Sequence, residues 1–231
     1  DAATRGEKPA TYRYLSDVLP AYLSRVGFPS LTSICRADFG RGRTGDLSLE
    51  AECLRLGTLP SRAYGYGTCA DKWKIDPFKW WAQAWPLAVE AWAIGASVVR
   101  CIGYDAGEHR RIGKQVDKGY EKRFPLIEWG WDREQCEAEI IAVGLPLPPK
   151  SACFYCPSST KPEIVELHRT SPDLSARAVA LESHALEDGR WEIAGLGRRF
   201  AWRDLLAADE AQQRMFPSAP VEACTICEAG E

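Results

Sequence analysis

The amino-acid sequence predicts an α/β fold with a mainly parallel sheet. Apolar side chains recur at helical spacing over residues 9–26 and again from residue 75, whereas residues 31–35 and 97–102 are short runs with β-branched side chains. Helices that alternate with such strands favour a parallel sheet, because parallel strands need a crossover connection between them. We therefore expect an α/β domain followed by a helix-rich C-terminal part.

The first half of the chain divides into helices and one short strand. They are a helix over residues 9–26, a strand over residues 31–35, a helix over residues 47–56 and two helices that meet at Pro86. Gly27 ends the first helix, and Pro86 stands where a new helix can start. Phe78, Trp81 and Trp85 fall on one helical face, which predicts a core stripe.

The strand over residues 97–102 is the clearest candidate for a buried strand and ends at Gly103. Asp132 followed by Gln135 resembles a capping box, so a helix is expected from there to Gly144. Beyond the proline-rich residues 145–149, the chain is helix-rich, with breaks near Pro172 and Gly189. The predicted domains are an α/β domain at 1–160 and a helical extension at 161–231 that carries a cysteine-containing tail.

Charge and hydropathy restrict the classes of partner. The net charge is -3, from 29 Lys and Arg against 32 Asp and Glu, so the whole chain has no positive field for nucleic acid. Residues 109–123 are locally basic, with six Lys or Arg against two acidic residues. The longest nearly apolar stretch, residues 86–99, includes Glu90 and is too short for a membrane span, which needs about 20 residues.

The chain has nine Cys, and four of them form two pairs with C-x-x-C spacing, Cys153 with Cys156 and Cys224 with Cys227. Such spacing lets both sulfur atoms reach one ion. Four thiolates would suit zinc, whereas Cys69 with Cys153 and Cys156 would suit an iron–sulfur cluster, and plain buried cysteines are the alternative. The remaining four are expected in the core: Cys35, Cys53, Cys101 and Cys136. A chain of this size needs no disulfides, so we expect a reducing, cytoplasmic location.

The residues after the strand at 97–102 form a second candidate site. Ligands of open parallel sheets bind at the carboxyl ends of strands, where glycine allows close approach to the backbone. The candidate ligand-binding residues are Gly103, Tyr104, Asp105, Glu108, Arg110 and Arg111. Two adjacent Arg residues suit phosphate or sulfate oxygens, and the alternative is a solvated helix start with a paired Glu and Arg.

Four segments together resemble the phosphoadenosine phosphosulfate (PAPS) reductase family, in particular its short members carried by phages and mobile elements. They are residues 69–77, 103–110, 124–129 and 149–157, within a resemblance that covers roughly residues 1–167. The spacing of Cys69, Lys74 and Pro77 matches the family pattern. The resemblance implies an adenine nucleotide alpha hydrolase-like (HUP) α/β sandwich around a parallel sheet.

The resemblance also implies an enzyme that acts on an adenine nucleotide, PAPS or ATP, by sulfonucleotide reduction or sulfur transfer. Lys74, which with Cys227 is a candidate catalytic residue, would neutralise phosphate or sulfate charge together with Arg110 and Arg111, and residues 103–105 would line the nucleotide pocket. A 4Fe-4S cluster or zinc would be held by cysteines, namely Cys69, Cys153 and Cys156 with Cys224 or Cys227. Cys227 echoes the family's catalytic tail cysteine, whose thiolate attacks the substrate sulfur, and a thiol reductant or sulfur acceptor would be the partner.

The sequence departs from the family in two places. Thr68 precedes Cys69, where the iron–sulfur branch has a second Cys, and the phosphate-binding Ser-Gly-Gly-x-Asp-Ser loop is absent. Residues 1–11 resemble the family's Thr-Gly-x-Glu stretch and lack a starting Met, so we expect the loop upstream of residue 1. Two alternatives stay open. One is an ATP pyrophosphatase-type sulfur or nitrogen transferase of the same fold, and the other is a non-catalytic, metal-stabilised module that contacts nucleic acid or a partner through its basic stretch.

Overall fold

In the computed structural model, the described residues are 2–40, 45–113, 117–187, 189 and 192–215. Their contacts form two compact units. The first contains the residues up to 52 together with 67–153, and the second contains 53–66 together with the residues from 154 onward. The first unit carries the strands, and the second is helical.

The strands of the first unit form two parallel pairs. Strand β1 (Ala2–Ala3) pairs with β2 (Ile34–Cys35), and β3 (Val98–Cys101) pairs with β4 (Tyr120–Arg123). The predicted α/β class with parallel strand pairing is thereby confirmed. Strand β4 is not evident from the sequence, because its four residues are Tyr-Glu-Lys-Arg and three of them are charged, which is more typical of a loop.

Helices connect and flank these strands. They are α1 (Pro9–Arg13), a π-helical turn (Tyr14–Val18), α2 (Leu19–Arg25), α3 (Leu49–Leu56), α4 (Thr68–Ala70), a second π-helical turn (Asp71–Ile75), α5 (Asp76–Ala84), α6 (Pro86–Ala93), α7 (Pro125–Glu128) and α8 (Arg133–Ala142). Shorter 3₁₀ turns cover Arg36–Phe39 and Ala106–Arg111 in the first unit, and Ser61–Tyr64 in the second. The predicted helix starts at Pro86 and after Asp132 are confirmed. Asp132 caps α8 by accepting a hydrogen bond from the Gln135 N–H at 2.9 Å.

Strand β3 is not the buried strand that its apolar sequence predicts. Its side chains alternate between half-buried and exposed, and Val99 is 55% exposed. Cys101 is exposed as well, so its assignment to the core is wrong, whereas Cys35 and Cys53 are buried and Cys136 is half-buried. The physical reason is that one face of this two-stranded sheet is left open to solvent.

The aromatic stripe of α5 is a stacked ladder at the surface of the unit. The ring centroids of Trp81 and Trp85 lie 5.3 Å apart with the ring planes stacked, and Trp85 is 37% exposed. The buried aromatic side chain of this region is Trp73, whose Nε1–H donates to Glu52 Oε2 at 2.9 Å. The prediction that this stripe lies in the core is therefore wrong. Its helical spacing was predicted correctly, but the buried aromatic residue, Trp73, lies on the preceding π-helical turn.

In its described residues beyond 160, the second unit contains three α-helices, as the helix-rich C-terminal sequence predicts. They are α9 (Lys161–Thr170), α10 (Pro172–Leu186) and α11 (Trp202–Met215). A capping box between Thr160 and Glu163 starts α9, and Pro172 begins α10. Leu181, Leu196 and Trp202 are almost completely buried in its core. Within the described ranges, none of the helices combines the length and apolar character that crossing a membrane requires.

Candidate functional site

The buried carboxylate of Glu7 is the centre of a polar cluster in the first unit. Its Oε2 accepts hydrogen bonds from the Thr4 hydroxyl at 3.0 Å and from the Tyr12 hydroxyl at 3.3 Å. Its Oε1 lies 3.1 Å from the Nζ of Lys74. A carboxylate with only 2% of its side chain exposed needs such partners, since a buried charge without them is strongly unfavourable.

The local backbone explains how Glu7 reaches this position. Thr4 directly follows β1, and its hydroxyl accepts a hydrogen bond from the Gly6 N–H at 3.2 Å. Between them Arg5 adopts a positive φ of 57°, which reverses the chain sharply. Glu7 then pairs with Cys153 in an isolated antiparallel bridge, before Pro9 begins α1. The carboxylate is thus fixed between the end of a strand and the start of a helix.

Cys153 joins the same cluster through Thr4. Its sulfur lies 3.0 Å from the Thr4 hydroxyl oxygen, and the two atoms share a hydrogen bond. Lys74, on the π-helical turn that precedes α5, approaches from a third segment of the chain. The structure therefore brings Lys74 and Cys153, both predicted site residues, around the single carboxylate of Glu7.

The environment of this cluster acts on Tyr12. Burial is the main cause that raises the pKa of Tyr12 to about 12, and the negative charge of Glu7 adds to the effect. The phenol therefore stays protonated at neutral pH and acts as a hydrogen-bond donor to Glu7. The cluster therefore has two hydroxyl donors and one ammonium group around the Glu7 carboxylate, with the Cys153 thiol against the Thr4 hydroxyl.

The second candidate site follows β3, as predicted. Asp105 caps the 3₁₀ turn by accepting a hydrogen bond from the Gly107 N–H at 2.9 Å. Arg111 forms an ion pair with Glu108 at 2.5 Å, and its guanidinium carbon lies 4.4 Å from the Tyr104 ring centroid. The hydrogen bond to Glu108 is the main reason that the pKa of Arg111 is raised. One of the two predicted anion-binding arginines thus already has an acidic partner.

Arg110 differs from its neighbour. It is exposed, and none of the acidic side chains in the described ranges is paired with it. A Cβ atom placed on Gly103 would have no heavy atom within 4 Å, and Tyr104 stacks on Phe124 with ring centroids 5.9 Å apart. The predicted residues after β3 are therefore adjacent and accessible, with Arg110 as the available cation.

An ion pair at the end of β4 braces this region. Arg123 Nε and Nη2 contact the two carboxylate oxygens of Glu128 at 2.8 and 2.5 Å, and the Phe124 N–H also donates to Glu128. The hydrogen bonds from Arg123 are the main cause that lowers the pKa of Glu128 to about 2. The backbone is also tied, because the Ala106 N–H donates to the Trp131 carbonyl at 2.7 Å. The loop after β3 is therefore supported by Phe124, whose ring stacks on Tyr104, and by the Trp131 carbonyl.

The predicted metal ligands do not complete a set in the described residues. Zinc and iron–sulfur clusters need about four protein ligands, or three and an open position. In the ranges that the structure describes, His, Cys, Asp and Glu side chains form no group of three or more that fits a metal ion. Cys69, Cys153 and Cys156 are each half-buried. Cys224 and Cys227 lie outside the described residues, so the ligand set stays a prediction.

A cavity of about 730 Å³ lies at the opposite ends of the strands, where β3 and β4 begin. Arg100 lines it and donates to Asp117 at 3.2 Å, while its guanidinium carbon lies 3.9 Å from the Tyr120 ring centroid. Nothing in the sequence pattern predicts this cavity. Thr4, Glu7 and Tyr12 were not predicted as site residues either, although the Thr-Arg-Gly-Glu pattern directly after an Ala-Ala strand is a signal that could have located Thr4 and Glu7.

This chain matches no protein-family model, no curated protein and no solved structure. A functional proposal therefore rests on its motifs and on the contacts of its described residues. The contacts that bear most directly on function are those around Glu7 and those of the loop after β3.

Proposed function

We propose that the chain is a PAPS reductase-like enzyme that acts on an adenine nucleotide, by sulfonucleotide reduction or sulfur transfer. The observation that carries the proposal is the cluster around Glu7. It joins three segments of the resemblance that are far apart in sequence: the amino-terminal Thr-x-Gly-Glu stretch, Lys74 and Cys153. The meeting of these three segments at one buried cluster supports a shared site.

Lys74 is suited to bind an oxyanion of the nucleotide. An ammonium group has three donors, and Lys74 contacts Glu7 Oε1 as an ion pair at 3.1 Å. Because 38% of the Lys74 side chain is exposed, solvent or a ligand can also reach this side chain. Glu7 fixes the position of the ammonium group, so little conformational entropy is lost when it binds phosphate or sulfate.

The loop after β3 would supply the second part of the site. It follows the carboxyl end of a parallel strand, which is the usual place for ligands in open α/β sheets. Arg110 offers a guanidinium group without an acidic partner in the described ranges, and Gly103 leaves its backbone accessible. We assign Arg110 to phosphate or sulfate binding, and Arg111 to orienting the loop through Glu108.

The described residues have binding roles only. The resemblance assigns the attacking thiolate to Cys227, which lies outside the described residues. The metal or cluster is likewise assigned by resemblance to cysteines that form no complete set within the described ranges. A thiol reductant or sulfur acceptor would complete the reaction. Nothing in the described geometry requires a nucleic-acid partner for this role.

Titration calorimetry with PAPS and with ATP tests the proposal. The test variant is Glu7→Gln/Lys74→Met, because the double change removes the ammonium group without leaving a buried carboxylate unpaired. We expect wild-type protein to bind PAPS and the double variant to bind it at least about tenfold more weakly, as loss of one charge-assisted contact implies. Lys79→Met, which changes a lysine on α5 outside the cluster, is the matched control and should keep wild-type affinity.

Three outcomes would contradict the proposal. Wild-type protein that binds neither nucleotide would rule out nucleotide chemistry altogether. Binding of ATP but not of PAPS would favour the ATP pyrophosphatase-type transferase. Equal PAPS affinity in wild type and in the double variant would show that the Glu7 cluster does not belong to the site.

A further inference from the structure

A second cavity lies within the second unit and is strongly basic. Its volume is about 500 Å³, and its lining is Lys161, Gly197, Arg198, Arg199 and Phe200. Three of these five residues carry a positive charge and none is acidic, in a chain whose net charge is -3. Like charges gathered at one concave surface repel one another, so their arrangement favours an anionic ligand.

The loop that carries the two arginines is held by a buried carboxylate. Glu182, on α10, is completely buried, and its Oε2 accepts hydrogen bonds from the Leu196 N–H at 2.7 Å and the Trp202 N–H at 2.9 Å. Its Oε1 accepts a third from the Arg203 N–H at 3.2 Å. These charge-assisted bonds fix the backbone on both sides of residues 197–200. The cationic side chains therefore project from a braced segment.

Close packing positions the side chains themselves. A Cβ atom on Gly197 would lie 2.5 Å from the Phe200 ring, so the ring packs directly on the glycine backbone. The Lys161 Nζ lies 5.2 Å from the centroid of the same ring. The Arg198 Nη2 lies 3.5 Å from the Cβ position of Gly65, which places this guanidinium group against the backbone after the Ser61–Tyr64 turn.

Arg198 also adopts an unfavourable backbone conformation. Its φ is +66°, in the left-handed region that favours glycine over residues with a Cβ. A turn alone would be served better by glycine at this position. Strain of this kind persists where the surrounding contacts enforce it, and it is concentrated at functional sites. Arg198 is also one of the residues that line the cavity.

The guanidinium groups of Arg198 and Arg199 have no acidic partner within the described part of the chain. Arg203, by contrast, contacts the carboxylate of the adjacent Asp204 at 3.4 Å. Arginine forks match the oxygen atoms of phosphate, and the lysine ammonium group adds a point charge. We propose that this cavity binds a phosphate-bearing anion through Lys161, Arg198 and Arg199. The site is formed by the second unit alone and shares no residue with the nucleotide site proposed above.

Nuclear magnetic resonance of the ¹⁵N-labelled full chain tests this inference. Sodium pyrophosphate represents a free phosphate ligand, and a short oligothymidylate represents the phosphates of nucleic acid. At least one probe should produce saturable shifts of the amide signals of residues 197–200. Arg199→Gln should weaken the Kd for that probe about tenfold. Arg198→Gly should weaken it similarly without lowering the Tm, because glycine accommodates the positive φ.

Arg203→Gln is the matched control, since it removes the same charge from a neighbouring exposed residue outside the cavity lining. The affinity of Arg203→Gln for the probe should equal that of the wild-type protein. Response to pyrophosphate alone would identify free phosphate as the ligand class, whereas tighter, strongly salt-dependent binding of the oligothymidylate would identify nucleic-acid phosphates.

The inference is overturned if neither probe shifts these amides, or if Arg199→Gln and Arg198→Gly both keep wild-type affinity. Equal weakening by Arg203→Gln would also overturn it, since that would reflect general charge only. The two proposals can fail separately, because the two sites share no residue. Glu7→Gln/Lys74→Met should therefore keep the wild-type response of residues 197–200 to pyrophosphate, whether or not the chain binds PAPS.

Discussion

The indole N–H of Trp92 donates a hydrogen bond to the carbonyl oxygen of Gly119, 2.7 Å away. This contact joins α6 to the residue that precedes β4, and the Trp92 ring also packs edge-on against Tyr120 at a centroid distance of 5.4 Å. The close approach of the indole depends on the missing side chain at Gly119. A Cβ atom at this position would lie 2.9 Å from the Trp92 Nε1.

Gly119→Ala should therefore destabilise the first unit. The added methyl group displaces the indole ring, and the φ of +83° is unfavourable for alanine. We expect a loss of about 2 kcal/mol or more in the free energy of unfolding, measured by urea denaturation. Gly103→Ala is the control, since its Cβ would contact nothing within 4 Å, and it should stay within about 0.5 kcal/mol of wild type. Equal effects of the two substitutions would contradict the packing described for Trp92.

The ion pair between Glu7 and Lys74 predicts non-additive stabilities. Lys74→Met leaves the buried carboxylate without its cation, and should cost about 2 kcal/mol, less than for a fully buried pair because Lys74 is partly exposed. Glu7→Gln/Lys74→Met removes both charges. Its loss in the free energy of unfolding should be about 1 kcal/mol smaller than the sum of the losses caused by Glu7→Gln and by Lys74→Met alone. A double-mutant cycle of urea unfolding measures this coupling. Strict additivity would show that the two groups do not interact.

The sequence was sufficient for the α/β class, for the helix starts at Pro86 and Asp132, and for parallel pairing. These depend on local rules of capping and on the need for crossovers. It was insufficient for the burial of Val99 and Cys101, because burial depends on what covers a sheet face and not on the strand's own residues. Glu7 was missed for the same reason, since its partners Lys74 and Cys153 approach from distant segments.

Tyr12 should titrate at unusually high pH. Its pKa of about 12 lies above the ordinary value of 10, because burial and the charge of Glu7 disfavour the phenolate. A raised pKa in the folded state gives stability that is fully present below pH 10 and is lost as the pH rises towards 12. Absorbance titration of phenolate formation, compared between wild type and Tyr12→Phe, should show that the variant lacks a component near pH 12. Loss of a component near pH 10 instead would contradict the assignment.

Exposure and acidity together predict the order in which the cysteines react. Cys101 is exposed, whereas Cys53 is only 2% exposed in the folded protein. Burial is the first cause that raises the pKa of Cys136, and the nearby Asp105 adds to it, so less of the reactive thiolate is present at neutral pH. Of these three cysteines, a short pulse of N-ethylmaleimide followed by peptide mass spectrometry should therefore label Cys101 first, Cys136 more slowly and Cys53 only after denaturation. Cys101→Ser should remove the label from that peptide and leave the labelling rates of Cys136 and Cys53 unchanged. If Cys101 reacted as slowly as Cys53 in the folded protein, the open face assigned to β3 would be wrong.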